Sequence, residues 1–211
     1  MVIRLSQEHK LHILFGIFIT AIISANILGT KIIQLWFVTA SVGIFMYPVT
    51  FLITDIVEEV FGKEKVKGFV CAGFVSVILA MLYVIVSVNL PPAPRYPHNE
   101  AFLKVFNPSI RIMLASMTAF ILSQFHDIWA FNFWKEKTSG RFLWLRNNAS
   151  TVISQLIDTT IFMFIAFYMA IPKYTVDFII TLIIPYYILK VIVALFDTPF
   201  CYLGVRWLGK K

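Results

Sequence analysis

The chain has 211 residues, of which 59% are hydrophobic and 14% charged, and its formal net charge is +7. A soluble domain has about 45–50% apolar and about 25% charged residues, so this composition excludes a soluble enzyme and predicts a membrane protein. The positive charges lie at the ends of apolar segments rather than on one soluble face, so we expect the lipid bilayer, and no nucleic acid, as a partner.

Six apolar segments follow one another along the chain, and a membrane-spanning helix needs roughly 20 residues. They cover residues 11–28, 36–60, 66–90, 109–134, 148–171 and 176–208. Charged or Pro-rich loops separate them, for example FGKEKVKG after Val60 and PPAPRYP after Leu90. The sequence therefore predicts an all-α integral membrane protein of six transmembrane helices, with residues 1–211 forming a single transmembrane domain.

The basic residues divide unequally between the two sides of this six-helix arrangement. One side holds 12 of them: Arg4, Lys10, Lys63, Lys65, Lys67, Lys135, Lys137, Arg141, Arg146, Arg206, Lys210 and Lys211. The other side holds four: Lys31, Arg95, Lys104 and Lys173. By the positive-inside rule, this bias predicts a multi-pass protein of the cytoplasmic (inner) membrane with both termini in the cytoplasm.

Prolines interrupt two of the predicted spans. Pro48 lies in the second segment, and Pro185 and Pro199 lie in the sixth. Proline removes a helical hydrogen bond and clashes with the preceding turn, so helices 2 and 6 are predicted to be broken or kinked. An irregular helix at membrane depth persists only beside protein or a watery cavity, and transporters often bind substrate at such breaks.

Ionisable and amide side chains inside the spans are the most informative feature of the sequence. A charge at the bilayer centre costs roughly 2.5–3.5 kcal/mol on insertion scales, so these groups are expected to face one another or a hydrated cavity. We interpret them as a substrate-binding site. The candidate residues are Asn26, Asp55, Gln124, Asp127, Gln155, Asp158, Lys190 and Asp197.

The fourth and fifth segments share the pattern S-Q-x-x-D, at Ser123–Asp127 and Ser154–Asp158. Gln and Asp three residues apart lie on one face of a helix, so the two pairs are predicted to form opposite walls of a pocket. Polar contacts between helices are the alternative, and a structural ion pair is the alternative for Lys190. Paired carboxylate and carboxamide groups match a planar heterocycle that carries adjacent N–H donors and a carbonyl.

Catalytic and metal-binding patterns are missing from the sequence. Cys71 and Cys201 lie far apart in apolar segments and form no C-x-x-C pair, so they are predicted to be buried thiols. No cofactor or metal is expected. The chain has no HExxH, GxSxG or Walker A string, and Glu58–Glu59 beside a basic loop is predicted to be solvated. An intramembrane enzyme is therefore the least favoured alternative.

Several strings together resemble the vitamin uptake transporter family, which includes queuosine precursor transporters. They are SAN at Ser24–Asn26, YPVTFLITD at Tyr47–Asp55, STVISQLIDT at Ser150–Thr159 and KVIVALFDTP at Lys190–Pro199. The resemblance implies a six-helix importer of 7-cyano- or 7-aminomethyl-7-deazaguanine, bases used in tRNA modification. It implies the same site residues as the polarity argument, except that Asp197 rests on polarity alone.

The resemblance also implies a fold similar to the substrate-binding subunits of energy-coupling-factor transporters, and a homodimer is compatible with it. Two mechanisms stay open at this stage. The chain is either a secondary carrier, with proton coupling through Asp127 or Asp158, or the substrate-capturing subunit of a multi-component importer. Without a Walker A string, ATP-driven transport would need a partner.

Overall fold

The computed structural model describes residues 5–35, 38–169 and 174–209. The predicted segment boundaries at residues 36 and 171 lie outside the described residues. The same holds for four of the basic residues used for orientation: Arg4, Lys173, Lys210 and Lys211.

The described chain is mainly helical, as predicted. Its elements in chain order are α1 (Gln7–Leu28), β1 (Ile32–Leu35), β2 (Val38–Ser41), a 3₁₀ helix (Val42–Phe45), α2 (Tyr47–Phe61), α3 (Lys63–Asn89), α4 (Asn99–Lys137), α5 (Leu143–Phe167) and α6 (Val176–Gly209). Within these ranges five helices, α1 and α3 to α6, are long and apolar enough to cross a membrane. The chain is thus a multi-pass, mainly helical membrane protein.

The second predicted span differs from the helix expected over residues 36–60. The strands β1 and β2 pair as an antiparallel hairpin, with Ile32 opposite Ser41. The Ser41 hydroxyl accepts a hydrogen bond from the Gly43 N–H and caps the 3₁₀ helix. Pro48 then lies in the first turn of α2, where its missing N–H costs nothing. Pro48 therefore helps to begin a 15-residue helix, and the change from the 3₁₀ helix to α2 falls directly before it.

The sixth span also differs in detail from the expectation. The helix α6 runs continuously from Val176 to Gly209 and contains both Pro185 and Pro199, so neither proline divides it in two. The helix α4 begins at Asn99, ten residues before the predicted span, and contains Pro108. At 1.5 Å per residue its 39 residues measure about 58 Å, so α4 extends beyond the hydrocarbon core of a bilayer.

A close approach between α1 and α3 shows how the apolar core is packed. Phe18 on α1 is fully buried, and a Cβ atom at Gly73 on α3 would lie 2.8 Å from its ring. Large apolar side chains such as Tyr83 and Phe196 point outward instead, as expected where the solvent is lipid. Cys71 also lies on this outer surface, so the prediction that it is buried is wrong, whereas Cys201 is buried.

Candidate functional site

An ion pair between two helices lies at the centre of the candidate site. The Nζ of Lys190 on α6 lies 2.5 Å from Oδ2 of Asp158 on α5, and both residues are buried. The hydroxyl of Ser123 on α4 donates a hydrogen bond to Oδ1 of the same carboxylate, at 3.3 Å. Two opposite charges in contact neutralise each other, which is what a low-dielectric interior requires.

Two tyrosine rings flank the lysine of this pair. The Nζ of Lys190 lies 5.3 Å from the ring centre of Tyr47 and 5.4 Å from that of Tyr186. Tyr186 lies one turn before Lys190 on α6, which places both on one helix face. The hydroxyl of Tyr47, at the start of α2, contacts the hydroxyl of Ser116 on α4. A cation over an aromatic face is attracted by the ring electrons, so the rings hold the ammonium group in place.

Asn26 on α1 completes this group, which we call the lysine cluster: Asn26, Tyr47, Asp158, Tyr186 and Lys190. Its Nδ2 donates to the carbonyl of Ile22 at 2.8 Å, while its Oδ1 has no hydrogen-bond partner within the described chain. All five residues line one cavity of about 10 Å³, which holds about one water molecule. The site is therefore closed around its ion pair in this structure.

A second group, the carboxylate cluster, consists of Asp55 and Glu58 on α2, Asp127 on α4 and Asp197 on α6. The carboxyl groups of Asp55 and Asp127 contact each other, and the serines Ser150 and Ser154 of α5 contact Asp127. Asp55 and Asp197 also line a cavity of about 10 Å³ together with Asn147 and Thr151. Glu58 is buried here, so the prediction that it is solvated is wrong.

Six of the eight predicted site residues therefore divide between two levels of the bundle rather than surrounding one chamber. Asp197 follows Lys190 by seven residues on α6, which corresponds to about 10 Å along the helix. Gln124 and Gln155 are buried on α4 and α5 between the two levels and line neither small cavity. Both amide atoms of Gln124, and Oε1 of Gln155, lack a hydrogen-bond partner among the described residues.

Comparison with known proteins decides the family. Residues 41–204 match the family described as "Putative vitamin uptake transporter", which is well over half of the chain. This chain belongs to that family. The resemblance found in the motifs is thereby confirmed.

Two relatives of this family member are named as queuosine precursor transporters. It is 34% identical over 184 residues to the "Probable queuosine precursor transporter" of Bacillus subtilis (strain 168), covering 86% of this chain and 79% of the relative. It is 29% identical over 153 residues to the "Queuosine precursor transporter" of Escherichia coli (strain K12), covering 72% and 66%. No solved structure matches, so similarity to energy-coupling-factor subunits stays a prediction.

A buried arginine beyond the carboxylate cluster was not predicted as a functional residue of this family member. The Nη2 of Arg146 lies 2.6 Å from Oε2 of Glu59, and the Nζ of Lys135 lies 3.0 Å from the same oxygen. Arg146 also donates to the carbonyls of Gly140 and Arg141. These contacts join the first turn of α5, which carries Arg146, to the end of α2, the end of α4 and the α4–α5 loop.

Three further residues of the candidate site of this family member were not among the predicted site residues: Tyr47, Ser116 and Ser123. Ser116 and Ser123 share the polar face of the fourth segment with Gln124 and Asp127, but only the amide and the carboxylate were predicted as site residues. Tyr47 opens the YPVTFLITD string, but the polarity argument considered only ionisable and amide side chains inside the spans. The partner of Ser116 was not predictable, because its contact with Tyr47 joins residues 69 positions apart. Contacts between distant helices are not encoded in local periodicity.

Proposed function

We propose that this protein imports queuosine precursors, which are 7-deazaguanine bases, and that the base binds at the lysine cluster. The observation that carries the proposal is the buried Lys190–Asp158 pair between the rings of Tyr47 and Tyr186. The names of the relatives supply the substrate class. Some other buried polar atoms support the proposal, because Oδ1 of Asn26 and both amide atoms of Gln124 lack a hydrogen-bond partner in the described chain.

The groups of the lysine cluster are complementary to the edge of a guanine-like ring. The carboxylate of Asp158 can accept hydrogen bonds from the ring N–H and the exocyclic amino group, since an ionised carboxylate is an acceptor with two oxygens. The ammonium group of Lys190 can donate to the ring carbonyl. A flat ring between Tyr47 and Tyr186 gains base–aromatic stacking, which is worth roughly 1–3 kcal/mol per base.

Binding requires the ion pair to open, because the cavity of about 10 Å³ beside it is far too small for a base. The base offers hydrogen-bond donors to Asp158 and an acceptor to Lys190. Its hydrogen bonds therefore replace the ion pair that opens when it enters. A charged group that loses its partner inside a protein is costly, so opening without substrate is disfavoured. We infer that this exchange couples substrate binding to separation of α5 from α6.

The carboxylate cluster is the better location for a coupling proton. Lys190 already neutralises Asp158, whereas Asp127 faces the carboxylates of Asp55 and Glu58 on α2, with Asp197 on α6 close to Asp55. Carboxyl groups in contact cannot all be ionised without strong repulsion. We therefore assign proton binding to the Asp55–Asp127 pair rather than to Asp158.

The proposed orientation has six crossings, with both termini in the cytoplasm and the protein in the inner membrane. The 3₁₀ helix and α2 together form the second crossing. Four residues at about 2.0 Å and 15 residues at 1.5 Å give roughly 30 Å, the thickness of the hydrocarbon core. The 12-to-4 distribution of basic residues supports this orientation. The homodimer stays a prediction.

A substrate-capturing subunit of a multi-component importer is the second candidate, favoured by the missing Walker A string. The family is one of transporters, and we propose no enzymatic activity. Uptake of radiolabelled 7-cyano-7-deazaguanine by purified protein in liposomes distinguishes the secondary carrier from the substrate-capturing subunit. Uptake by this chain alone supports the carrier, whereas binding without uptake would favour the subunit. Absence of binding would contradict the proposed function.

A further inference from the structure

A second cavity adjoins the lysine cluster, and the proposed function does not use it. It has a volume of about 310 Å³ and lies between the β1–β2 hairpin, the end of α5 and the beginning of α6. We call it the hairpin cavity. Its aromatic lining residues are Phe162, Phe167, Tyr174, Phe178 and Tyr186.

The aromatic side chains of the hairpin cavity form a connected series. Tyr174 and Phe178 are stacked, with ring centres 5.0 Å apart and an angle of 15° between the rings. Tyr174 meets Phe167 edge to face at 6.4 Å, and Phe167 meets Phe162 edge to face at 6.0 Å. Flat faces and edges are thus presented from two helices, which is the surface on which planar rings stack.

The hairpin cavity is adjacent to the lysine cluster. Ser41, Phe162 and Tyr186 line both the hairpin cavity and the small cavity beside Asp158 and Lys190. Tyr186 therefore has the large cavity on one side and the ion pair on the other. Movement of two side chains, Phe162 and Tyr186, would join the two spaces.

We propose that the hairpin cavity is an outer binding site, where a planar purine-like base stacks before it reaches the Lys190–Asp158 pair. This inference rests on the proposed function. In the orientation proposed above, this end of the bundle faces away from the cytoplasm, which is the side from which an imported base arrives.

Size and charge both fit this role. Ligand pockets start at about 300 Å³, so the hairpin cavity accepts a small base while the lysine cluster, at about 10 Å³, is closed. None of the lining residues in the described chain is acidic or basic. The outer site therefore selects flat rings by shape, and hydrogen bonding to the guanine edge follows at Asp158 and Lys190.

Phe178 is the residue to test, because it is partly exposed and its replacement leaves the core intact. The substitution Phe178→Leu removes the ring and Phe178→Trp keeps an aromatic face. Phe196→Leu, on the outward surface of the same helix, is the matched control. In liposome uptake of 7-cyano-7-deazaguanine, we expect Phe178→Leu to raise KM at least about fivefold. Phe178→Trp and Phe196→Leu should keep the wild-type KM.

A second measurement separates the outer site from the lysine cluster. The double variant Asp158→Asn/Lys190→Met lacks the inner recognition groups, and we expect it to retain weak binding of the base in equilibrium titrations. Adding Phe178→Leu should weaken that residual binding at least about fivefold.

Two results would overturn the inference and leave the proposed function standing. In both, the wild-type protein transports the base. In one, Phe178→Leu transports it with an unchanged KM. In the other, the double variant retains no binding that depends on Phe178, as expected if the cavity holds only lipid or detergent. A wild-type protein that binds no base would overturn the inference and the proposed function together.

Discussion

The ammonium group of Lys190 and the carboxylate of Asp158 meet at 2.5 Å inside the bundle, with the rings of Tyr47 and Tyr186 on either side. This contact joins α6 to α5 at the level where Asn26 and Ser116 also line the cavity. Any ligand that enters must compete with the ion pair. Under the proposed function, the stability of the closed form and the recognition of substrate therefore depend on the same two residues.

Asp158→Asn should lower both stability and transport. The substitution leaves Lys190 as a buried charge without its partner, which costs about 3–5 kcal/mol. The double variant Asp158→Asn/Lys190→Met should recover most of this stability, because no charge remains unpaired, and it should still fail to transport. Thermal unfolding and liposome uptake measure the two effects. Transport by the double variant at the wild-type rate would remove the pair from the site.

Tyr47→Phe should separate the ring from the hydroxyl group. The variant loses the contact with Ser116, and we expect a decrease in stability of about 0.5–1.5 kcal/mol with base affinity little changed. Tyr47→Leu should in addition weaken base binding at least about fivefold, because the stacking face is lost. Tyr83→Leu, on the outward surface of α3, provides the control. Equal affinities for the base in Tyr47→Leu and wild type would argue against stacking.

Arg146→Ala should be strongly destabilising. The side chain is buried and contacts Glu59 and the carbonyls of Gly140 and Arg141. Its removal takes a donor from part-buried acceptors, and a buried acceptor left unsatisfied costs at most about 1–3 kcal/mol. Arg141→Ala changes the same charge at an exposed position in the neighbouring loop and should be close to neutral. Comparison of the two melting temperatures is the measurement, and similar values would show that the buried contacts contribute little.

Asp127→Asn should remove the response of transport to a proton gradient. We expect acidification of the outer side to stimulate wild-type uptake, because protonation of the Asp55–Asp127 pair relieves carboxylate repulsion. The amide cannot take up the proton, so uptake by the variant should be the same with and without the gradient. Asp177→Asn, in the exposed first turn of α6, is the control. A variant that responds as the wild type does would locate the coupling elsewhere.

The helices were predictable because lipid imposes a strong constraint on the sequence. Every spanning segment must be apolar over roughly 20 residues, and α1, α3, α5 and α6 occupy the predicted ranges to within a few residues. The hairpin and the 3₁₀ helix were not predictable. Residues 32–45 are as apolar as a span. Strand pairing with the Ser41 cap, rather than composition, decides the structure of β1, β2 and the 3₁₀ helix.

The site was predictable in its composition but not in its arrangement. Charge inside an apolar segment predicted that Asp158, Lys190 and Asp127 belong to a substrate-binding site, and all three are buried in the structure. Helical spacing gives the face on which a side chain lies, but not the depth at which helices from different parts of the chain align. Lys190 pairs with Asp158 rather than Asp127 because of how α5 and α6 align. Such an alignment is not encoded in helical spacing, so the division into two clusters was not predicted.

The most direct test of recognition at the lysine cluster is an equilibrium binding measurement with two bases that differ only in their hydrogen-bonding edge. We predict that the wild-type protein binds 7-deazaguanine at least tenfold more tightly than 7-deazaadenine, whose edge lacks the ring N–H and the carbonyl. This preference should disappear in Asp158→Asn/Lys190→Met. Equal affinities in the wild type, or a preference that persists in the double variant, would contradict the account.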